Sequence, residues 1–123
     1  METYGFPKAK WEDAKKQAQQ AMVIAARQET AISYSELVKQ IEAIHFEPHD
    51  FNLFHLLGQI STKESEDGRG LLTAVVVRQE DGLPGQGFFQ LARDLGLDPS
   101  DQEGFWISQL SNVYSSWSEL KAR

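Results

Sequence analysis

Apolar residues recur at helical spacing through the first half of the chain. Between about residues 8 and 28, glutamates, lysines and glutamines occupy one side of this pattern, and the other side holds Trp11, Ala14, Ala18, Ala21, Met22 and Ala25. Spacings of three and four residues place such side chains on one face of an α-helix. The pattern therefore predicts an amphipathic helix over about 8–28.

A capping motif indicates the start of a second helix. The segment Ser33-Tyr34-Ser35-Glu36 has the form of a capping box, in which the serine hydroxyl accepts a hydrogen bond from the glutamate backbone N–H. Ile32 before the cap and Leu37 after it fit a hydrophobic staple. We predict a helix over about 34–44.

Three further helices are predicted along the rest of the chain. Asp50 is a suitable N-cap for a helix over about 51–63, and glycine 96 is a suitable stop for a helix over about 88–95. The last helix is predicted to begin near residue 98 and to end near residue 120. Its apolar stripe repeats every three or four residues and consists of Trp106, Leu110, Val113, Trp117 and Leu120.

The segment Leu71–Val77 differs from these helices. It is uncharged, rich in β-branched residues and apolar on both faces, which is typical of a covered strand. Asp81-Gly82 follows as a turn signal. A short return strand fits residues 83–88, confined to a sheet edge by Pro84. Together these features predict a β-hairpin.

Three helices followed by a hairpin and two more helices predict an α+β fold that is mostly helical. We expect one domain over residues 1–123, since chains of this length commonly form a single domain. The order matches a winged helix-turn-helix domain, with a three-helix core, a β-hairpin wing after Gly70 and C-terminal helices. The helix over 34–44 is then the positioning helix, and the helix over 51–63 is the recognition helix.

Two short segments carry a resemblance to a known family. Ile32-Ser33-Tyr34-Ser35-Glu36-Leu37 resembles the start of a helix in the winged domain of DNA alkyltransferases, and Val75–Arg78 with Asp81-Gly82 is similar to the segment after that family's reactive motif. The resemblance covers about residues 30–90 and implies a winged-helix fold. The reactive Pro-Cys-His-Arg motif is missing at Leu72-Thr73-Ala74, so the resemblance does not imply alkyl transfer.

Charge and the absence of cysteine narrow the function classes. The chain has 18 acidic and 12 basic residues, a net charge of −6 and no cysteine. Thiol catalysis and thiolate metal sites are therefore excluded, and nonspecific binding to nucleic acid is disfavoured because it requires lysine and arginine. No apolar run is long enough to span a bilayer, and the first residues lack a signal-peptide pattern. We expect a cytoplasmic protein with no membrane partner.

The predicted recognition helix presents polar residues outside its apolar stripe. This surface consists of Asn52, His55, Gln59 and Lys63. Such side chains can contact base edges or phosphates, or they can form an ordinary solvated face. Residues 48–90 hold three basic and six acidic groups, and this balance favours a protein partner because a DNA-reading face concentrates positive charge.

The glycine-rich loop after the predicted strand is a second candidate site. As a wing or anion-binding loop it would use Arg78, Gly85, Gln86 and Gly87. Backbone N–H groups before a helix can bind an anion, but the loop matches neither the dinucleotide fingerprint nor the Walker motif. The simpler interpretation is a tight turn that glycines permit.

Other residues do not assemble into a predicted site. His45, His49 and His55 with Asp50 lack the convergent spacing of a zinc site, and no nucleophile elbow is present. We therefore predict no metal, no cofactor and no catalytic residues. The C-terminal tryptophans could form a partner surface, although packing against the first helix is the favoured interpretation.

These patterns predict a noncatalytic, winged-helix-like binding module that acts as a regulatory or adaptor protein through protein–protein contacts or self-association. Two alternatives stay open. One is a sequence-specific DNA-binding transcriptional regulator. The other is a small enzyme or a nucleotide- or anion-binding domain that uses the loop Gly82–Gly87.

Overall fold

A computed structural model describes residues 3–118. It is mostly helical and contains a small two-stranded sheet. The elements in chain order are α1 (Lys8–Arg27), β1 (Ile32–Ser33), α2 (Tyr34–Gln40), α3 (Phe51–Glu66), a 3-10 turn (Leu72–Val75), β2 (Val76–Val77), α4 (Gln86–Asp94) and α5 (Gln102–Trp117). All five predicted helices are present. The predicted end of the last helix near Leu120 lies outside the described residues.

The N-terminal helix is the centre of the larger apolar cluster. Its small side chains allow close approach, and it packs against α2, α3, α5 and the 3-10 turn. Along its buried face, Trp11, Ala14, Ala18 and Met22 are fully enclosed. The predicted alanine-rich face is therefore the face that this helix buries.

The second helix begins as predicted but ends early. The Ser33 hydroxyl accepts from the Glu36 N–H at 3.1 Å, as a capping residue does. The helix ends at Gln40 rather than near residue 44. The reason is visible on α1, where the Gln17 side-chain oxygen accepts from the N–H groups of Glu42 and Ala43 at 2.8 and 2.9 Å. These two groups are satisfied without a further helical turn.

The predicted strand over 71–77 is wrong for most of its length. Residues Leu72–Val75 form a 3-10 turn, and only Val76–Val77 is a strand. Its backbone N–H groups pair with side chains instead of a neighbouring strand: Leu71 donates to Gln109 Oε1 and Thr73 donates to Ser61 Oγ, both at 2.9 Å. These two donors are therefore satisfied without a strand ladder.

The predicted β-hairpin wing is also wrong. β2 pairs with β1 in parallel, with Ile32 opposite Val76 and Ser33 opposite Val77. The predicted return strand over 83–88 is replaced by a closed loop and the first turn of α4, which begins at Gln86. Within residues 3–118, no antiparallel strand follows β2.

The C-terminal helix packs on the body of the protein rather than standing free. Trp106 Nε1 donates to the Ala74 carbonyl at 2.8 Å, and the Tyr114 hydroxyl donates to the Thr30 carbonyl at 3.0 Å. Val113 is fully buried. A second apolar cluster lies beneath α4 and α5 and is built on Leu71, Ala74, Phe88, Phe89 and Ala92. None of the described helices is long and apolar enough to cross a membrane.

Candidate functional site

A groove of about 650 Å³ lies between α3 and α4. We call it the α3–α4 groove. Residues from Phe51 to Glu66 on α3 and from Gly87 to Asp94 on α4 form its walls, and Tyr4 and Tyr34 contribute from neighbouring segments. Its volume falls within the range of ordinary ligand pockets.

The two helices that form the groove run in the same direction. A side chain at Gly87 would lie 3.6 Å from the Phe54 ring, and one at Gly58 would lie 3.8 Å from Leu91. Each contact joins positions that are 33 residues apart, so a step of one turn along α3 matches a step of one turn along α4. The absent side chains of these glycines leave space along the groove.

Aromatic rings line one end of the groove. Phe51 is 72% exposed and Phe54 is 39% exposed. The Phe54 ring packs edge-on against Tyr34 with centroids 6.3 Å apart. His55 lies between two rings: it stacks on Tyr4 at 4.1 Å and meets Phe51 edge-on at 4.4 Å. This end therefore carries two sets of packed rings and two exposed phenylalanines, Phe51 and Phe54.

Tyr34 places a phenol beside the start of α4. Burial raises the pKa of the Tyr34 hydroxyl, while the Gly85 backbone and the Arg78 charge partly offset that rise. A Cβ atom at Gly85 would lie 3.2 Å from this oxygen, which is tighter than ordinary packing. The close approach of the partly buried Tyr34 therefore favours glycine at position 85.

The predicted recognition-helix surface is only partly brought together. His55, Gln59 and Lys63 line the groove, whereas Asn52 lies outside its lining. Gln59 serves the core, because its side-chain oxygen accepts from Trp11 Nε1 at 2.9 Å. Lys63 pairs with Asp67 at 3.3 Å. Gln59 and Lys63 therefore each have a side-chain partner within the protein.

The predicted wing and anion loop is divided in the same way. Gly87 lines the groove, while Arg78 is held in its own loop, where its guanidinium donates to Asp81 at 2.8 and 3.2 Å. Asp81 also accepts from the Leu83 N–H at 3.0 Å. The Gln86 side chain is 3.5 Å from that of Gln102. Arg78 is therefore neutralised at short range.

The histidines considered as metal ligands do not converge. His45 pairs with Glu47 at 2.6 Å, Asp50 accepts from the Glu47 N–H at 2.9 Å, and His55 lies in the aromatic stack. Over the described range 3–118, no three histidine, aspartate or glutamate side chains could hold a metal ion together.

The exposed rings were missed because sequence reasoning followed one apolar stripe. Leu53, Leu56 and Leu57 were assigned to the core, and they are buried. Phe51 and Phe54 fall outside that stripe, so the first half of α3 is apolar over more than one face. This excess of apolar residues was the available signal for an exposed apolar surface.

Comparisons with protein-family models, with curated proteins and with solved structures found no match. The geometry and charge of the α3–α4 groove are therefore the basis for a proposed function.

Proposed function

We propose that the protein is a noncatalytic binding module, regulatory or adaptor in character, that docks a protein partner in the α3–α4 groove. The observation that carries this proposal is the pair of uncovered rings, Phe51 and Phe54, at the edge of a groove with an apolar wall. Aromatic residues are enriched in protein interfaces and supply much of their binding energy.

The proposal keeps a winged-helix-like three-helix core for α1, α2 and α3. The part of this core that resembles the winged domain of DNA alkyltransferases is the start of α2, where Ser33 caps the helix. In this proposal the loop after β2 corresponds in sequence order to the wing, and it forms no hairpin within residues 3–118. Fold similarity alone does not determine function, so the partner class follows from the groove.

Charge supports a protein partner over DNA. Two of the cations expected to contact phosphates, Lys63 and Arg78, already pair with Asp67 and Asp81. Phosphate binding depends on cations that can replace condensed counterions, and each of these cations would first have to leave its carboxylate. The same pairing of Arg78 disfavours the anion-binding alternative for the loop Gly82–Gly87.

Panning a random-peptide display library against the folded protein tests the proposal. Peptides that enrich on the wild type should contain apolar anchors and should bind Phe51→Asp at least tenfold more weakly, since the substitution places a charge in the apolar contact. Thermal melting checks that the variant is folded. Enrichment that ignores Phe51, or submicromolar binding to random duplex DNA with a steep negative salt slope, would overturn the proposal.

A further inference from the structure

Charge is distributed unevenly along the α3–α4 groove. One end holds the aromatic rings, and the other end holds two carboxylates, Glu66 on α3 and Asp94 on α4. Both residues are exposed. Asp94 accepts from Gln90 Nε2 at 2.9 Å, and neither carboxylate has an ion-pair partner among the residues that the structure describes.

Two lysines, Lys15 and Lys63, also line the groove, and each has a carboxylate partner outside the lining. Lys63 pairs with Asp67 at 3.3 Å, and Lys15 lies 3.4 Å from Glu12. Each lysine is thus matched to a carboxylate other than Glu66 or Asp94. The groove therefore presents an apolar, aromatic end and an acidic end to whatever enters it.

The shape of the groove favours a helical occupant. Two helices running in the same direction form a channel into which the side-chain ridges of a third helix can pack, and amphipathic helices commonly bind in this way. The alternative mode, addition of an extended strand to a sheet edge, has little to work with, because each described strand has only two residues and Val76 of β2 is fully buried.

We infer that the docked segment is a cationic amphipathic helix of a partner protein. Its apolar residues, spaced three and four apart, would contact Phe51, Phe54 and Leu91, and its lysines or arginines would face Glu66 and Asp94. The inference rests on the proposed function and adds to it the chemistry of the partner. Complementary charge across an interface sets specificity and register.

Fluorescence anisotropy with two defined probes tests the inference. The probes are two labelled 18-residue peptides with leucines at helical spacing. All remaining positions are lysine in one peptide and glutamate in the other. At 150 mM NaCl, the leucine–lysine peptide should bind the wild type at least tenfold more tightly than the leucine–glutamate peptide. The double variant Glu66→Lys/Asp94→Lys should lose at least tenfold in affinity for the lysine peptide.

A matched control separates local complementarity from net charge. Asp13→Lys/Glu42→Lys changes the net charge by the same amount at exposed positions outside the groove lining, so its affinity for the lysine peptide should fall by less than threefold. Equal losses in the two double variants would overturn the inference. If Phe51→Asp still abolished binding in that case, the proposed groove would stand, whereas binding indifferent to Phe51 would overturn the proposed function itself.

Discussion

The two faces of α3 have opposite chemistry. The inner face buries apolar side chains and also two polar ones, Ser61 and Glu64, which are 0% and 1% exposed. The outer face leaves Phe51 and Phe54 uncovered and ends at Glu66, which has no ion-pair partner within residues 3–118. The unusual residues of the inner face are polar, and those of the outer face are apolar.

The two faces differ in whether these residues have partners within the protein. The buried polar residues Ser61 and Glu64 form hydrogen bonds. Glu64 accepts from Arg69 Nε and Nη2, both at 2.8 Å, and from Gln19 Nε2 at 3.1 Å. Ser61 and Thr73 hydroxyls are 2.7 Å apart. Buried polar groups paired in this way belong to the folded structure. The outer rings Phe51 and Phe54 stay partly exposed, so the inner face serves folding and the outer face is the one available to the proposed partner.

Truncation of one leucine or one phenylalanine on α3 gives the largest contrast. Leu56 is fully buried, so Leu56→Ala should lower the free energy of unfolding by about 2–5 kcal/mol through loss of packing and a residual cavity. Phe51→Ala should change it by no more than about 0.5 kcal/mol. Urea denaturation of both variants checks this. A Phe51→Ala cost close to that of Leu56→Ala would contradict the division between the two faces.

Removal of the cation that pairs with Glu64 on the inner face, and of Lys63 on the outer face, sharpens the comparison further. Arg69→Ala leaves Glu64 buried without its charged partner, which should cost about 2–4 kcal/mol, allowing for the partial exposure of Arg69. Lys63→Ala removes an exposed pair with Asp67 and should cost about 0–1 kcal/mol. Thermal unfolding compares them. Equal costs would show that the Glu64 pair has no special role in the inner face.

Gly58→Ala should separate stability from binding. An alanine suits a helix interior better than glycine by about 0.5–1 kcal/mol, and its Cβ would lie at an ordinary 3.8 Å from Leu91. The variant should therefore be more stable than the wild type, yet bind the leucine–lysine peptide more weakly because the added methyl group raises the floor of the groove. Tighter or unchanged peptide binding would contradict the assignment of this floor to the binding surface.

The smallest effect concerns the loop in which Arg78 pairs with Asp81. The Leu83 N–H, and then the Arg78 guanidinium, lower the pKa of Asp81. A carboxyl group with a lowered pKa stabilises the fold above its unfolded value of about 4 and loses this effect as the pH falls through the folded value. Asp81→Asn should thus be slightly less stable than the wild type at pH 7, and the difference should disappear at pH 2–3. A difference that persists at acid pH would assign another role to Asp81.

The helices could be predicted because their signals are local. The Ser33 cap and the leucine stripe of α3 depend on residues within one or two turns, and both are present. The early end of α2 could not be predicted, because it depends on Gln17, a side chain 25 residues away. Tertiary contacts of this kind override local propensity.

The segment after α3 shows the same limit more strongly. Leu71–Val77 has the composition of a covered strand, and it is covered, but its donors pair with Ser61 and Gln109. A pattern of apolar residues reports burial and cannot tell a short strand from a 3-10 turn. For the candidate site, His55, Gln59 and Lys63 were found on α3, whereas the exposed rings beside them were not.

Chemical-shift mapping tests the central claim most directly. The ¹⁵N-labelled protein is titrated with the unlabelled leucine–lysine peptide, and backbone amide shifts are followed by two-dimensional NMR. The account predicts that the large shifts fall on residues 51–66 and 86–94, with Glu66 and Asp94 among them. Shifts confined to the outer side of α1 or to α5 would contradict it.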